Sequence, residues 1–599
     1  MKSTKKNALI LLLVSLLLFA CDKKEEEVQH QQKVKPESPK PVTMLNVVPE
    51  DTIFFSGGLE PFPLKEVLQW STGHFNVLKE LDVDSMLPIV QDEKIPGRRL
   101  AAQLWFDYYA MMLSPGTELA KWGVEDKPFL TSYTVGLAPV LLRISLKDVP
   151  LFNTKIDELE AKAKITGTSE TLGTATYRRY ALNANNPSVD LIIGVDNERK
   201  HAVFMLDIGV DSEQTLAIAL GQQKPEKTLA ESGRVEVLLK QYTMHPSLIG
   251  YIDHQQLITG LTTQEGNSIA KMIQKLVPQL EGAAELAELL EGLQTEGCRN
   301  DLVAIGKNWP QTVFGYTALD LDATPSRIDS LIVVENKDKT LLDGLQSLRG
   351  VVPQYVMGNS AESPVFAAGI GLNVEKIAPF LTERWTAITQ KQYSCSFLQE
   401  MQESVKAQQP AALAMMTGMA SGVQGLAFSL MSLELEKTEA GGPPMPKSID
   451  ALISLAVKNP TNLVQMVGSL FPPLAQLQLP ADGTPVQLPL PLPLSFPVMA
   501  AINGSHLTVY AGEKSQALAQ GLRSEALETS QGLLAADIDY GKYYGLIGDA
   551  LTGLDMPGTQ QQETKAIFEA MKNAKMRVRM NMDMTDRGIE VKADMIATE

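Results

Sequence analysis

The sequence predicts an α+β protein made of two approximately duplicated halves, each an antiparallel sheet with hairpins backed by helices. Short apolar runs alternate with turn residues, helix-like apolar spacing follows several of these runs, and the same order of segments occurs twice. We place the first half at residues 48–340, a connector at 341–357 and the second half at 358–599. A fortuitous similarity between short α+β segments is the alternative explanation of the repeat.

The repeat is defined by matching strands and turns. The matched segments, first half against second, are 53–59 with 365–372, 189–195 and 201–206 with 498–502 and 506–510, 248–253 with 534–539, and the closing hairpins 313–321 and 328–334 with 576–584 and 589–595. Asn503-Gly504 predicts a type I′ hairpin turn, because that turn needs positive φ at both residues. Asp253 and Asp539 each end a strand where a helix cap is expected.

The first 20 residues have the pattern of a secretory signal peptide. Lys2, Lys5 and Lys6 precede an apolar run at 8–17. That run is too short for a membrane-spanning helix, which needs about 20 residues. Small Ala20 then precedes Cys21, where a peptidase needs room.

Leu18-Phe19-Ala20-Cys21 resembles the lipobox of bacterial lipoprotein precursors. The resemblance implies that Cys21 is diacylated on sulfur, becomes the mature N-terminus and is then N-acylated, with palmitate among the chains. Three acyl chains give an effectively permanent membrane anchor. Asp22 resembles the retention signal of enterobacterial lipoproteins, which favours the periplasmic face of the inner membrane over the outer membrane. An ordinary cleaved signal and an uncleaved membrane helix are the alternatives.

Residues 21–47 are expected to form the lipidated cysteine and a flexible tether, because their Lys, Glu, Gln and Pro offer little apolar surface to bury. The chain has a formal net charge of −17, and loss of the signal's lysines makes it more negative still. Such a protein is repelled by phosphates, so we expect no nucleic-acid role. Order is expected from Val48, and Pro49-Glu50-Asp51-Thr52 is similar to the start of certain uncharacterised bacterial envelope domains.

With Cys21 lipidated, Cys298 and Cys395 remain. In an oxidising compartment we expect them to form a disulfide, with two buried thiols as the alternative.

No motif predicts an enzyme, a cofactor or a metal site. Ser268-Ile269-Ala270-Lys271 matches the Ser-x-x-Lys nucleophile pattern, but it lies in an amphipathic helix pattern and lacks the partner motif. The six scattered histidines have no zinc spacing, so structural roles are favoured. The same holds for three Asp-x-Asp pairs, which are Asp82 with Asp84, Asp320 with Asp322, and Asp537 with Asp539.

The first strand of the last predicted hairpin is rich in methionine. Met576, Met580, Met582 and Met584 share one face of a strand. Thioethers at this spacing can bind Cu(I), but a buried core layer, with the apolar residues of 589–595 opposite, is the favoured interpretation.

These observations predict a membrane-anchored periplasmic lipoprotein with a non-catalytic binding or interaction role. Its expected partners are the membrane, through the anchor, and an envelope protein or apolar ligand. An apolar-ligand (lipid or lipoprotein) carrier is the alternative, and an envelope hydrolase without a recognisable motif is the third. A cavity lined by Leu and Met would favour the carrier, a Ser-His-acid cluster the enzyme, and an exposed apolar patch a binding partner.

Overall fold

The computed structural model describes residues 44–74, 93–183, 188–359, 363–408, 410, 417–418, 420–436, 445–470, 478–490, 495–528, 531–551 and 568–598. The protein is α+β, with 41% helix and 31% strand, which confirms the predicted fold class. The predicted signal peptide, Cys21, Asp82 and Asp84 lie outside the described residues. Described structure begins at Met44, where a buried 3₁₀ turn occupies Met44–Val47 at the end of the predicted tether.

The described residues contain 21 strands. They are β1 Phe54–Gly57, β2 Leu130–Val135, β3 Ala138–Ser145, β4 Thr168–Leu172, β5 Ala175–Ala181, β6 Asp190–Asp196, β7 His201–Asp207, β8 Ile249–Asp253, β9 Gln311–Asp320, β10 Arg327–Glu335, β11 Gly350–Val351, β12 Phe366–Gly371, β13 Val423–Glu436, β14 Met445–Val457, β15 Val486–Gln487, β16 Met499–Asn503, β17 His506–Ala511, β18 Gln531–Gly532, β19 Leu534–Asp539, β20 Met576–Met584 and β21 Gly588–Ala597.

The α-helices of the described residues are α1 Leu64–His74, α2 Pro96–Leu113, α3 Pro115–Lys121, α4 Val149–Ala163, α5 Ser212–Ala219, α6 Leu229–Ser232, α7 Arg234–Tyr242, α8 His254–Thr262, α9 Ser268–Leu276, α10 Ala283–Leu293, α11 Glu296–Asn308, α12 Lys339–Ser347, α13 Val374–Gln390, α14 Ser396–Lys406, α15 Pro460–Leu470, α16 Glu513–Gly521 and α17 Tyr540–Leu551. Local chemistry fixes several of their starts. Asp253 accepts a hydrogen bond from Gln256 N at the start of α8, and Asp539 accepts one from Lys542 N in α17, as predicted for these two caps.

Nineteen strands form one antiparallel sheet instead of two separate ones. Its order from edge to edge is β4-β5-β6-β7-β3-β2-β1-β8-β9-β10-β21-β20-β19-β12-β13-β14-β17-β16-β15. The centre is the pairing of β10 with β21, which runs from Arg327 opposite Ile596 to Glu335 opposite Gly588. β11 and β18 form a separate two-stranded sheet.

The predicted closing hairpins are present as β9 with β10 and β20 with β21. The turn between β16 and β17 differs from the type I′ prediction. Asn503 is the last residue of β16, paired with His506, so Gly504 and Ser505 form the loop and Gly504 alone has a positive φ, +60°. The Asn503 side chain donates instead to Thr508 Oγ1 at 2.9 Å.

Two large clusters cover one face of the sheet. In the first half, Phe55, Tyr133 and Tyr251 pack with residues of α5 and α7. In the second half, Ala427 and Leu452 pack with the segment at 352–357 and with α16. We call this the closed face.

A third cluster is stapled by the Cys298–Cys395 disulfide, which joins α11 to the residue preceding α14. Both cysteines are fully buried. Asp301 Oδ2 accepts from the backbone N–H groups of Ser394 and Cys395, at 2.7 and 3.0 Å, and fixes the chain at the bridge. The residues predicted as a connector contribute α12 to the same cluster.

Because the bridge closes a span of 97 residues, it removes much chain entropy from the unfolded state. We expect the double variant Cys298→Ala/Cys395→Ala to lose about 4–5 kcal/mol of unfolding free energy on the loop-entropy model. Urea unfolding followed by circular dichroism measures the loss, with reductant-treated parent protein as the control. A loss below about 1 kcal/mol would contradict the stapling role.

Candidate functional site

The face opposite the closed face carries a continuous apolar row. Strand pairing places its members side by side: Gly250, Phe314, Ile332, Val591, Met582, Leu534, Ile370, Leu426, Leu455 and Leu507. Directly paired residues of antiparallel strands point to the same side, as do residues two apart on one strand. No member of the row, and no residue two positions before or after a member on its own strand, is charged.

Six large apolar side chains of this face are between 39 and 52% exposed. We call them the open strip, which consists of Ile252 on β8, Ile332 on β10, Met580 on β20, Ile370 on β12, Leu426 on β13 and Ile453 on β14. The strip crosses nine neighbouring strands, so it is about 38 Å long at about 4.8 Å per strand. It is therefore one extended surface and not a set of scattered exposed residues.

The closed face, in contrast, holds buried charges. Asp537 is fully buried, with Arg577 Nη1 at 3.3 Å and Arg579 Nε at 3.4 Å from its Oδ2. Burial raises the pKa of Asp537 above its usual value, against the opposing effect of the two guanidinium charges. Glu590 is also buried, and its Oε1 accepts from Arg587 Nε at 2.8 Å. This part of the sheet therefore buries ion pairs and exposes isoleucine, leucine and methionine.

The open face is bounded on both sides near the centre of the sheet. Val334, Ile589 and Met584 pack against the disulfide-stapled helices. At the other ends of the same strands, Met595 and Val578 lie in a cluster with Trp70 of α1 and Tyr540 of α17. The central part of the strip thus forms the floor of a groove between these two clusters.

This arrangement corrects the interpretation of the methionines. Met576 is fully buried, as a core layer requires, but Met580 is 41% exposed and Met582 and Met584 are half-buried. The face was predicted to be core because it is apolar, yet in its central part Ile332 is 44% and Met580 41% exposed. Within the described residues no group of three His, Cys, Asp or Glu side chains could hold a metal ion.

A separate cavity of about 460 Å³ lies between the Pro49–Asp51 turn, α5 and the start of α9. Its lining is mostly polar and includes Asp51, Asp211, Glu265 and Lys271. The Asp51 carboxylate accepts from Ser268 N at 2.9 Å, and Asp211 pairs with Lys275 at 2.6 Å. This is not the Leu- and Met-lined cavity expected of an apolar carrier.

Ser268 and Lys271 of the Ser-x-x-Lys match both line this polar cavity. Ser268 Oγ is buried and has no hydrogen-bond partner, so it does not contact the Lys271 amine. A base must lie within hydrogen-bonding reach of the hydroxyl that it activates. The structure therefore places the two residues near one another but does not couple them.

Several of the described histidines and paired aspartates have structural contacts. His74 Nδ1 lies 2.7 Å from the Trp70 carbonyl oxygen and His254 Nδ1 lies 3.0 Å from that of Trp309. Asp537 is held by arginines and Asp539 caps α17. Asp320 lies at the exposed end of β9, 3.7 Å from Arg327.

Comparison with protein-family models, with curated proteins and with solved structures found no match to this chain. Among the described helices, none is both long enough and apolar enough to span a bilayer.

The open strip was not identified from the sequence. Its residues come from six strands, and no local motif joins them. The sequences of β9, β10 and β12–β14 do show that successive residues alternate between two faces of the sheet. This alternation defines the two faces, but it does not show which of them is covered.

His201, which is half-buried, and His506, which is fully buried, are each the first residue of the second strand in a hairpin. Arg143 Nε donates to His201 Nδ1 at 3.1 Å, so that nitrogen carries no proton. Burial, aided by the Arg143 charge, lowers the pKa of His201 to about 3. Burial lowers the pKa of the fully buried His506 to about 4. Both are neutral in the folded protein at neutral pH.

Since the unfolded state titrates near pH 6.5 and the folded state far below it, unfolding takes up protons as the pH falls. The stability present above about pH 6.5 should fall by about 2 kcal/mol per histidine between pH 7 and pH 5. Urea titrations at both pH values should show a shallower loss for His201→Gln/His506→Gln than for the parent. Equal losses in parent and variant would contradict the assignment.

Proposed function

We propose that this protein is a lipoprotein anchored to the periplasmic face of the bacterial inner membrane that binds an envelope protein or an apolar ligand without chemistry, and that the open strip is its binding surface. The observation that carries this proposal is the open strip itself, a line of exposed apolar side chains on a sheet whose other face is already packed by apolar clusters. Buried charges are costly, and extended apolar surface is uncommon on a monomer. A sheet with Asp537, Arg577 and Glu590 inside and Ile370, Leu426 and Ile453 outside is suited to having that outer face covered by a second molecule.

Placement outside the cytoplasm is supported by the Leu18–Cys21 pattern and, less directly, by the buried disulfide. Disulfides of this kind persist in oxidising compartments. The hydrolase alternative is weaker, because Ser268 Oγ has no hydrogen-bond partner that could act as its base, and His74 and His254 lie against backbone carbonyl oxygens.

We also propose that the chain arose by duplication. What supports this is the order of strand pairing on each side of the β10–β21 centre. Reading outwards, one side gives β10-β9-β8-β1-β2-β3-β7-β6-β5 and the other gives β21-β20-β19-β12-β13-β14-β17-β16-β15. Each strand of the second list corresponds, in chain order, to the strand at the same place in the first; β4 has no counterpart.

Residue registers agree with this correspondence. In the first half, Phe54 pairs with Ile252, which directly precedes the capping residue Asp253. In the second half, Phe366 pairs with Ile538, which directly precedes the capping residue Asp539. An irregular assembly of short α+β segments gives no reason for such agreement.

The two halves differ where the strip lies. In the first half, Ser56 pairs with Ser132. At the equivalent position of the second half, Ala368 pairs with Phe428. The hydroxyl groups of Thr134 and Thr52 are hydrogen-bonded at 3.0 Å, so this part of the first half is also polar. The apolar binding surface is thus a property of the second half and the centre of the sheet.

The anchor is tested by Cys21→Ser, which removes the thiol that receives the acyl chains. Cell fractionation should move the protein from the membrane to the periplasmic fraction. Unchanged retention of the variant in the membrane after a high-salt wash would contradict lipid anchoring.

The binding surface is tested by placing the photocrosslinker p-benzoylphenylalanine at Ile370 or Leu426 of the full chain in cells. We expect covalent adducts at both positions, since both side chains face the open strip. The matched control is Val237, which is 60% exposed on α7 outside the strip and should give none. Absence of adducts at both strip positions would refute the proposal.

A further inference from the structure

We infer that the occupant of the open strip is the acyl chain of a phospholipid. This inference rests on the proposed function of the strip and identifies its ligand class. It is carried by the strip's dimensions, by the absence of hydroxyl, amide and charged side chains from its central row and by the walls near the centre of the sheet.

The strip is long and narrow. Two rows of side chains on one face, about 7 Å apart, make it about 14 Å wide, and with a length of about 38 Å its area is about 500 Å². A standard stable protein interface buries about 800 Å² on each partner. The surface is therefore small for a second copy of the chain or for a folded protein.

Its walls limit access further. Val334 and Ile589 are tucked under the disulfide-stapled helices on one side, while Val578 and Met595 lie beneath Trp70 and Tyr540 on the other. The floor between them is formed by Ile332, Val591 and Met582, which are directly paired neighbours. A flexible linear molecule can lie along such a floor, whereas a flat protein surface meets the walls first.

The chemistry of the floor agrees with its shape. A protein interface carries about one hydrogen bond per 100–200 Å² and a polar rim. The row from Phe314 to Leu507 offers no hydroxyl, amide or charged side chain, so it cannot supply such bonds. An acyl chain needs none. The thioethers of Met580 and Met582 can adjust to a chain with different kinks.

The length is also suitable. Each acyl chain covers about half of the hydrocarbon thickness of a bilayer, which is about 15 Å. The strip therefore has room for two such chains end to end, or for both chains of one splayed phospholipid. Because the protein is acidic, with a formal charge of −17, a zwitterionic headgroup fits it better than an anionic one.

The experiment uses the full mature chain carrying Cys21→Ser, so that its own anchor cannot occupy the strip. The chain is incubated with vesicles of palmitoyl-oleoyl phosphatidylcholine that contain a phosphatidylcholine with a diazirine near the end of one acyl chain. After irradiation, mass spectrometry of peptides should locate adducts on β12, β13 and β20. Ile370→Asp/Leu426→Asp should reduce labelling by at least about tenfold, because a charge in the floor opposes apolar contact.

Val237→Asp is the matched control and should label like the parent. If the double variant unfolds by circular dichroism, Ile453→Gln, a single change at a half-exposed position, should still lower labelling several-fold. Labelling that is absent, or that is equal in the parent and in both strip variants, would overturn the acyl-chain inference.

The outcome separates this inference from the proposed function. Protein-sized adducts from the crosslinker at Ile370 in cells, together with no lipid labelling, would refute the lipid and retain the binding surface. Absence of both kinds of adduct would refute both.

Discussion

The antiparallel pairing of β10 with β21 is the contact on which the architecture depends. Nine residues of each strand are paired, from Arg327 opposite Ile596 to Glu335 opposite Gly588. Without this ladder the chain would have two sheets, each with a free edge of backbone donors and acceptors. With it, the two halves share one sheet, and the apolar residues of β8–β10 become continuous with those of β12–β14. The proposed binding surface therefore depends on the pairing that joins the two halves.

Charged side chains are distributed unequally between the two faces of the sheet. Antiparallel sheets commonly bury an apolar face and solvate a polar one. Here the closed face contains Asp537, Arg577 and Glu590, and the apolar row on the other face has only uncharged side chains. Burying an ion pair stabilises a fold little, because desolvation offsets the Coulomb attraction. The buried ion pairs therefore do not explain why the open row is apolar, whereas the proposed binding role of that row does.

Sequence reasoning identified the local elements well and the covering of surfaces poorly. The α+β class, the two closing hairpins and the caps at Asp253 and Asp539 were predictable because each depends on neighbouring residues. The single sheet was not, since the β10–β21 pairing joins residues more than 250 positions apart. Met580 was predicted to be buried, because alternation distinguishes two faces of a strand but does not show which of them a helix will cover.

The candidate site shows the same limit. Its side chains come from strands that are distant in sequence, so no local motif indicates them. The motif that was found, Ser268 to Lys271, lines a polar cavity, and its serine has no base within hydrogen-bonding distance.

The central claim is that the middle of the sheet exposes apolar side chains on one face, and methionine oxidation tests it most directly. Met576 and Met580 lie on the same face of β20, four residues apart, but the first is fully buried and the second is 41% exposed. Brief treatment of the native protein with hydrogen peroxide, followed by mass spectrometry, should oxidise Met580 at least about tenfold faster than Met576, because exposure governs the susceptibility of thioethers. Equal and slow oxidation of the two residues would show that the face is covered and would contradict this account.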